Sequence, residues 1–232
     1  KESIHRRTIE FYDVIINTAV IGGNRKDVDD ETVFYKNILM MENLLSSLND
    51  NQILINFSSG AEFRSKDTAY GLSKKISTRL VNGRKKSYNL RLYGCFGYGE
   101  MDTRFIQRCF NLNEIIINDD IEFDFFYVED VARVCKFLID GGVGDNSRTN
   151  FNEKIKTIDC VYDTKYKLSD IANIIKTTYN PKLKVTIINP FSNGSYTGNS
   201  RQLLNLKLFF KHNLVGFEQG LKEYYEKHKL FN

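Results

Sequence analysis

The sequence predicts an α/β protein, with parallel strands and helices covering both faces of the sheet. Two observations carry this. Short β-branched and aromatic runs, continuous enough to be buried strands, alternate with longer segments whose apolar residues recur at helical spacing. The succession strand, helix, strand, helix, strand is the rhythm of βαβ units, in which each helix crosses back over the sheet. In order, Asp13–Ala19 is the first strand, stopped by Gly22 and Gly23, and Val33–Leu48 is the first helix. Ile53–Phe57 is the next strand, ended by Ser58-Ser59-Gly60; Tyr70–Val81 follows as a helix and Asn89–Cys95 as a third strand. Beyond Gly97 the pattern loosens. It gives a helix Thr103–Leu112, a strand Ile115–Ile117, an aromatic run Phe123–Tyr127 and a helix Val131–Asp140. A strand Thr157–Tyr162, a helix Leu168–Thr177, a strand Val185–Ile188 and a final helix Val215–His228 complete it. The stretch Gly141–Ser147 reads as a linker. It divides residues 1–140 from a smaller α+β part, 141–232, interleaved with the first.

Composition narrows the function classes. The 232 residues carry 33 basic and 29 acidic side chains, a formal charge of +4. A chain of this length buries roughly 70–75% of its unfolded surface, so its core needs no disulfide or metal. The lysines and arginines are scattered, which argues against a nucleic-acid partner. Cys95, Cys109, Cys135 and Cys160 form no CxxC pair and sit in apolar runs, pointing to reduced thiols, a cytoplasmic setting and no structural zinc. No run approaches the ~18 apolar residues of a membrane span, and residues 1–10 are charged, without the apolar region of a signal peptide. A protein without a membrane partner is expected.

The chemistry-bearing signal is Tyr70-Gly-Leu-Ser-Lys74, opening a helix after a strand that ends in Ser58-Ser59. A spacing of four puts Tyr70 and Lys74 on one helical face. A nearby ammonium favours the phenolate and brings a group of pKa ~10 closer to proton transfer at neutral pH. A serine hydroxyl from the strand end would bond the same substrate oxygen. Alone, Tyr-x-x-x-Lys is also an ordinary amphipathic helix start; its place after a Ser-bearing strand is what gives it weight.

With these residues in place, the sequence resembles the extended short-chain dehydrogenase/reductases, that is, the NAD-dependent epimerase/dehydratase family, and within it the GDP-fucose synthase-like nucleotide-sugar epimerases and 4-reductases. Asn17-Thr-Ala-Val-Ile-Gly-Gly23 is similar to the segment near the nicotinamide ribose, and Asn37-Ile-Leu-Met-Met-Glu-Asn-Leu-Leu45 to the Asn-bearing helix. Ser58-Ser59-Gly-Ala-Glu-Phe63, Arg91-Leu-Tyr-Gly-Cys-Phe-Gly97 and Phe123-Asp-Phe-Phe-Tyr-Val-Glu-Asp130 match in the same order. The resemblance implies a Rossmann-like doubly wound parallel sheet and a catalytic set of Ser59, Tyr70, Lys74 and Asn37. It implies cofactor contacts at Thr18, Ala19, Tyr70, Lys74, Tyr93 and Cys95, and substrate contacts at Gly22, Gly60, Ala61, Arg104 and Arg201. The implied ligands are a nucleotide-diphosphate sugar and NADP(H) in preference to NAD(H). The implied assembly is a homodimer built from the Asn37 and Tyr70 helices.

Three departures shape the expectation. The family's Gly-rich phosphate loop is not found; Gly94-x-x-Gly97-x-Gly99 follows the wrong strand, so part of the native chain is expected to lie outside this sequence. Ser59 precedes Tyr70 by only eleven residues, a short gap for the family. The Cys and His that move protons at sugar carbons during epimerisation are replaced by Ala61 and by the His-free segment Met101–Arg104. The expected reaction is therefore reduction of a 4-keto sugar, GDP-linked and destined for a surface polysaccharide, with a 4-epimerase or a non-catalytic sugar-nucleotide-binding relative as alternatives. Gly60-Ala61 in place of an acidic pair argues against a dehydratase. Asn37 also reads as an ordinary polar helix residue, Arg104 and Arg201 as surface groups, and Asp130 as the N-cap of the Val131 helix.

Overall fold

The structure is a computed structural model that describes residues 9–23, 28–140, 155–210 and 214–231, with side chains left undescribed at 206–210 and 231. The expected linker Gly141–Ser147 lies outside the described residues. The chain forms two compact units, neither continuous in sequence. The first comprises Lys1–Leu92 and Val134–Asp159, the second Tyr93–Arg133 and Cys160–Asn232.

The first unit holds a four-stranded parallel sheet in the order β1 (Val14–Asn17), β2 (Ile53–Ser59), β3 (Ser87–Leu92), β8 (Thr157–Asp159). Two helices, α1 (Glu31–Ser47) and α3 (Ala69–Asn82), pack side by side. Each starts on a side-chain cap: Asp30 accepts from the Thr32 and Val33 N–H groups, and Thr68 from that of Gly71. Leu54 of β2 joins Met41, Leu44 and Val81 in the core beneath these helices. By strand alternation Asn56 and Ser58 share that face. Between β2 and α3 lies a one-turn helix, α2 (Ala61–Arg64).

The second unit is built on three parallel strand pairs. They are β4 (Gly94–Phe96) with β7 (Phe125–Tyr127), β5 (Glu114–Asp119) with β9 (Lys184–Asn189), and β6 (Glu122–Phe123) with β10 (Ser195–Tyr196). Helices α4 (Phe105–Asn111), α6 (Leu168–Thr178), α7 (Arg201–Phe210) and α8 (Phe217–Phe231) complete it, and α5 (Val128–Ile139) begins in this unit and ends in the first. Its aromatic core centres on Phe96, with the rings of Tyr127, Phe217 and Tyr224 around it.

Three expectations are corrected. The strand expected over Asn89–Cys95 breaks at Tyr93, where the chain changes partners: β3 pairs with β2 and β8, whereas β4, beginning at Gly94, pairs with β7. The strand expected over Thr157–Tyr162 ends at Asp159. The helix expected from Val131 starts at Val128, so Asp130 is no N-cap but a first-turn residue pointing inward. Its fully buried carboxylate accepts from the Tyr162 hydroxyl at 2.6 Å and from the Val215 and Gly216 N–H groups at 2.7 and 2.9 Å, fastening the start of α8.

Candidate active site

The first unit assembles a site from the ends of β1 and β2 and the opening turns of α3. Asp29 Oδ1 accepts the Tyr70 N–H at 2.8 Å. The Tyr70 ring packs closely against the loop after β1: a Cβ on Gly23 would stand 2.8 Å from Tyr70 Cζ and 3.2 Å from its hydroxyl oxygen, and Gly23 has φ of +87°. Gly22, at φ +81°, is closed in by Val33 in the same way. Both conditions call for glycine.

One turn on, Lys74 Nζ sits 5.9 Å from the Tyr70 ring centroid and donates to the Phe57 carbonyl at 2.9 Å. Burial pushes its ammonium down to about 8, with the charge of Glu62 opposing. Asn37 is buried and fully used: its Oδ1 accepts the Ile21 N–H at 2.9 Å, and its Nδ2 donates to the Ile21 carbonyl at 2.9 Å and to Ser73 Oγ at 3.1 Å. Ser73 in turn donates to the Tyr70 carbonyl at 2.7 Å. Asn37 thus ties the post-β1 loop to the helix that carries Tyr70 and Lys74. A cavity of about 20 Å³, room for one water molecule, lies beside it and is lined by Asn17, Asn37, Asn56, Ser73, Lys74 and Ser77.

The two serines at the end of β2 differ. Ser58 is buried and donates to Glu62, and the Thr78 hydroxyl lies 2.9 Å from Ser58 Oγ and 2.6 Å from Glu62 Oε1. Ser59 accepts the Ala61 N–H at 3.2 Å, which leaves its own O–H to donate. Glu62, 3% exposed, also pairs with Arg91 at 3.1 Å, and Arg91 reaches Asp159 at 2.5 Å. Burial works against the Arg91 charge, but the two carboxylates outweigh it and raise its pKa. This buried network was missed from the sequence. Its one local signal, Glu62 beside the serines, reads as a surface residue until the strand pairing supplies Arg91.

Of the other expected residues in this unit, Thr18 and Ala19 are exposed in the post-β1 loop, and Gly60 is buried and donates to the Leu92 carbonyl at 2.8 Å. Ala61 opens α2 and is buried. Tyr93, Cys95, Arg104 and Arg201 belong to the second unit. There Tyr93 packs edge-on to Tyr196 at 5.3 Å, and Arg104 and Arg201 are exposed at the starts of α4 and α7. Burial pushes the Cys95 thiol up to about 11, with Glu100 adding and Arg104 opposing.

A nicotinamide and its ribose fit the first-unit residues in kind: a buried ammonium, a side-chain-free glycine pair and the carboxyl ends of parallel strands. The described residues form no Gly-rich strand-to-helix turn for a pyrophosphate. Among the described residues no cluster of His, Cys, Asp or Glu is arranged to hold a metal, and no helix is long and apolar enough to cross a membrane.

Comparison with solved structures supports this architecture. The chain is similar to TunA, an NAD-dependent NDP-hexosamine 5,6-dehydratase of tunicamycin biosynthesis, at 14% identity and TM-score 0.76, covering 99% of this chain and 81% of that one. It is similar to the UDP-N-acetylglucosamine 4-epimerase of Bacillus cereus, at 16% identity and TM-score 0.70, covering 97% and 79%. It is also similar to MlghC, a GDP-mannoheptose C4 reductase from Campylobacter jejuni with NADP bound, at 16% identity and TM-score 0.73, covering 94% and 81%. No curated protein matches. The model of the NAD dependent epimerase/dehydratase family matches residues 2–152, well over half the sequence and the whole of the Tyr70–Lys74 site, and the chain belongs to that family.

Proposed function

We propose that the protein reduces the C4 keto group of a nucleotide-activated sugar with a nicotinamide cofactor. The observation that carries this reading is the Tyr70–Lys74 pair, with the ammonium buried one turn beneath the phenol. The cofactor, when bound, supplies hydride to C4. Tyr70 then gives its proton to the sugar oxygen, and the Lys74 ammonium stabilises the phenolate left behind. Ser59, whose O–H is uncommitted where that of Ser58 is not, donates to the carbonyl. Asn37 holds the loop and helix in register and supports the return of a proton through the polar cavity at Lys74.

Ala61 and the segment Met101–Arg104 offer no Cys or His to remove a carbon-bound proton, which favours reduction over epimerisation. A GDP-linked deoxy- or heptose sugar for a surface polysaccharide is the substrate class we infer, with Arg104 and Arg201 on its diphosphate. NADP(H) is inferred over NAD(H) from the reductive direction. Exposed Tyr35 and Leu39 on α1 and Leu72 and Leu80 on α3 suit a homodimer through these helices. Buried cysteines suit a cytoplasmic setting.

The test is NADPH oxidation, followed by absorbance, with a panel of 4-keto nucleotide sugars in deuterated water. Turnover without deuterium at C3 or C5 is expected, and Tyr70→Phe should lower it by roughly 10²–10⁴-fold while nucleotide-sugar binding persists. Deuterium at those carbons, or an unimpaired Tyr70→Phe enzyme, would overturn the reading.

A further inference from the structure

Three asparagines cross the sheet of the first unit in register. Asn17 of β1 stands opposite Asn56 of β2, and Asn56 opposite Asn89 of β3, so their side chains leave one face. Asn17 Nδ2 donates to Asn56 Oδ1 at 2.8 Å, and Asn56 Nδ2 to Asn89 Oδ1 at 2.8 Å. Asn89 Nδ2 donates to Asn82 Oδ1 at 2.9 Å and to the Thr78 carbonyl at 3.3 Å, both on α3. Every carboxamide donates in the same direction, so each fixes the orientation of the one before it. At the free end, Asn17 Oδ1 accepts the Ala19 N–H at 3.2 Å. Two residues further on, the Asn37 carboxamide holds both the N–H and the carbonyl of Ile21. Two amide side chains therefore grip alternate residues of the loop on which the Tyr70 ring rests.

Asn56 is the central link. It is 1% exposed, on the face that Leu54 devotes to the apolar core. A carboxamide at such a place is tolerated only with its bonds made, and an apolar residue would leave Asn17 Nδ2 and Asn89 Oδ1 without their partner. We propose that Asn56 is a positioning residue: by setting the Asn17 carboxamide it fixes the backbone of residues 18–21, and through that loop the seat of Tyr70. The catalytic consequence rests on the reductase reading above; the effect on the loop does not.

The experiment is amide hydrogen exchange on the full chain as wild type, Asn56→Leu and Asn17→Ala, followed by NADPH turnover of the same samples. Both variants should speed exchange of the Ala19 and Ile21 amides, the two in this loop that the asparagine side chains accept, on the order of tenfold, as expected for the loss of one restraining hydrogen bond, while Leu54 and Leu90 keep their protection. Turnover, where the wild type has it, should fall in kcat more than it changes KM for the sugar. Asn17→Ala removes only the terminal link and decides the matter if Asn56→Leu does not fold. Unchanged loop exchange, or strand amides accelerating together with the loop in Asn17→Ala, would overturn the proposal. A wild type inactive on every sugar would overturn the reductase reading and leave the exchange result standing.

Discussion

Lys74 is the residue on which the electrostatics of the site turn. Its folded pKa of about 8 lies below its ordinary 10.5, so between those values the unfolded chain binds more protons than the folded one. Stability from this residue therefore rises with pH across that window, and below it the buried ammonium is a full penalty. Lys74→Met should accordingly raise the urea midpoint at pH 7, an advantage that fades as the pH goes from 8 to 10.5. Turnover in the proposed reduction should move the other way, declining above pH 8 as the ammonium is lost, and Lys74→Met should lack it throughout; pH–rate profiles check this. Gly23→Ala adds a Cβ 2.8 Å from the Tyr70 ring at a φ of +87°, and should lose about 1 kcal/mol by denaturant titration together with much of the turnover. The Tyr70–Lys74 relation was legible because a spacing of four is helix geometry. The Glu62–Arg91–Asp159 network was not, since it joins residues from three elements that only the strand pairing brings together.

At the level of elements, buried ionic groups hold strand ends and helix starts. Arg91→Met leaves Glu62 and Asp159 without their cation and should lose about 3 kcal/mol in urea titration. Asp130→Ala strips acceptors from Tyr162 and from the start of α8; a loss of similar size, about 3 kcal/mol, is expected, with increased exchange of the Val215 and Gly216 amides. Element type was read well where periodicity was unambiguous, as in α1, α3 and α6. Boundaries moved where long-range pairing decides them: the strand expected over Asn89–Cys95 breaks at Tyr93, where pairing passes from β2 and β8 to β7. The helix Arg201–Phe210 was missed because leucines and phenylalanines crowd its sequence without a single stripe, so the helical period does not stand out. The two-residue strand Ser195–Tyr196 is too short to show any alternation.

For the molecule as a whole, the parallel sheet was legible from alternating runs, whereas the points at which the chain passes between the units carry no local mark: it leaves the first unit after Leu92, re-enters it at Val134 and leaves again after Asp159. If α1 and α3 form the proposed dimer face, Leu39→Glu with Leu72→Glu should halve the mass seen by sedimentation without loss of helicity. The cysteines offer a separate handle. Cys109 is pushed up to about 12 by burial and Cys135 to about 11, so neither presents a thiolate near neutral pH. Cys135 lies in the first unit and Cys109 in the second. Iodoacetamide should thus mark each only when its own unit opens, and peptide-resolved labelling in rising urea would show whether the two thiols become reactive together or in succession, with no tag or added probe site in the chain.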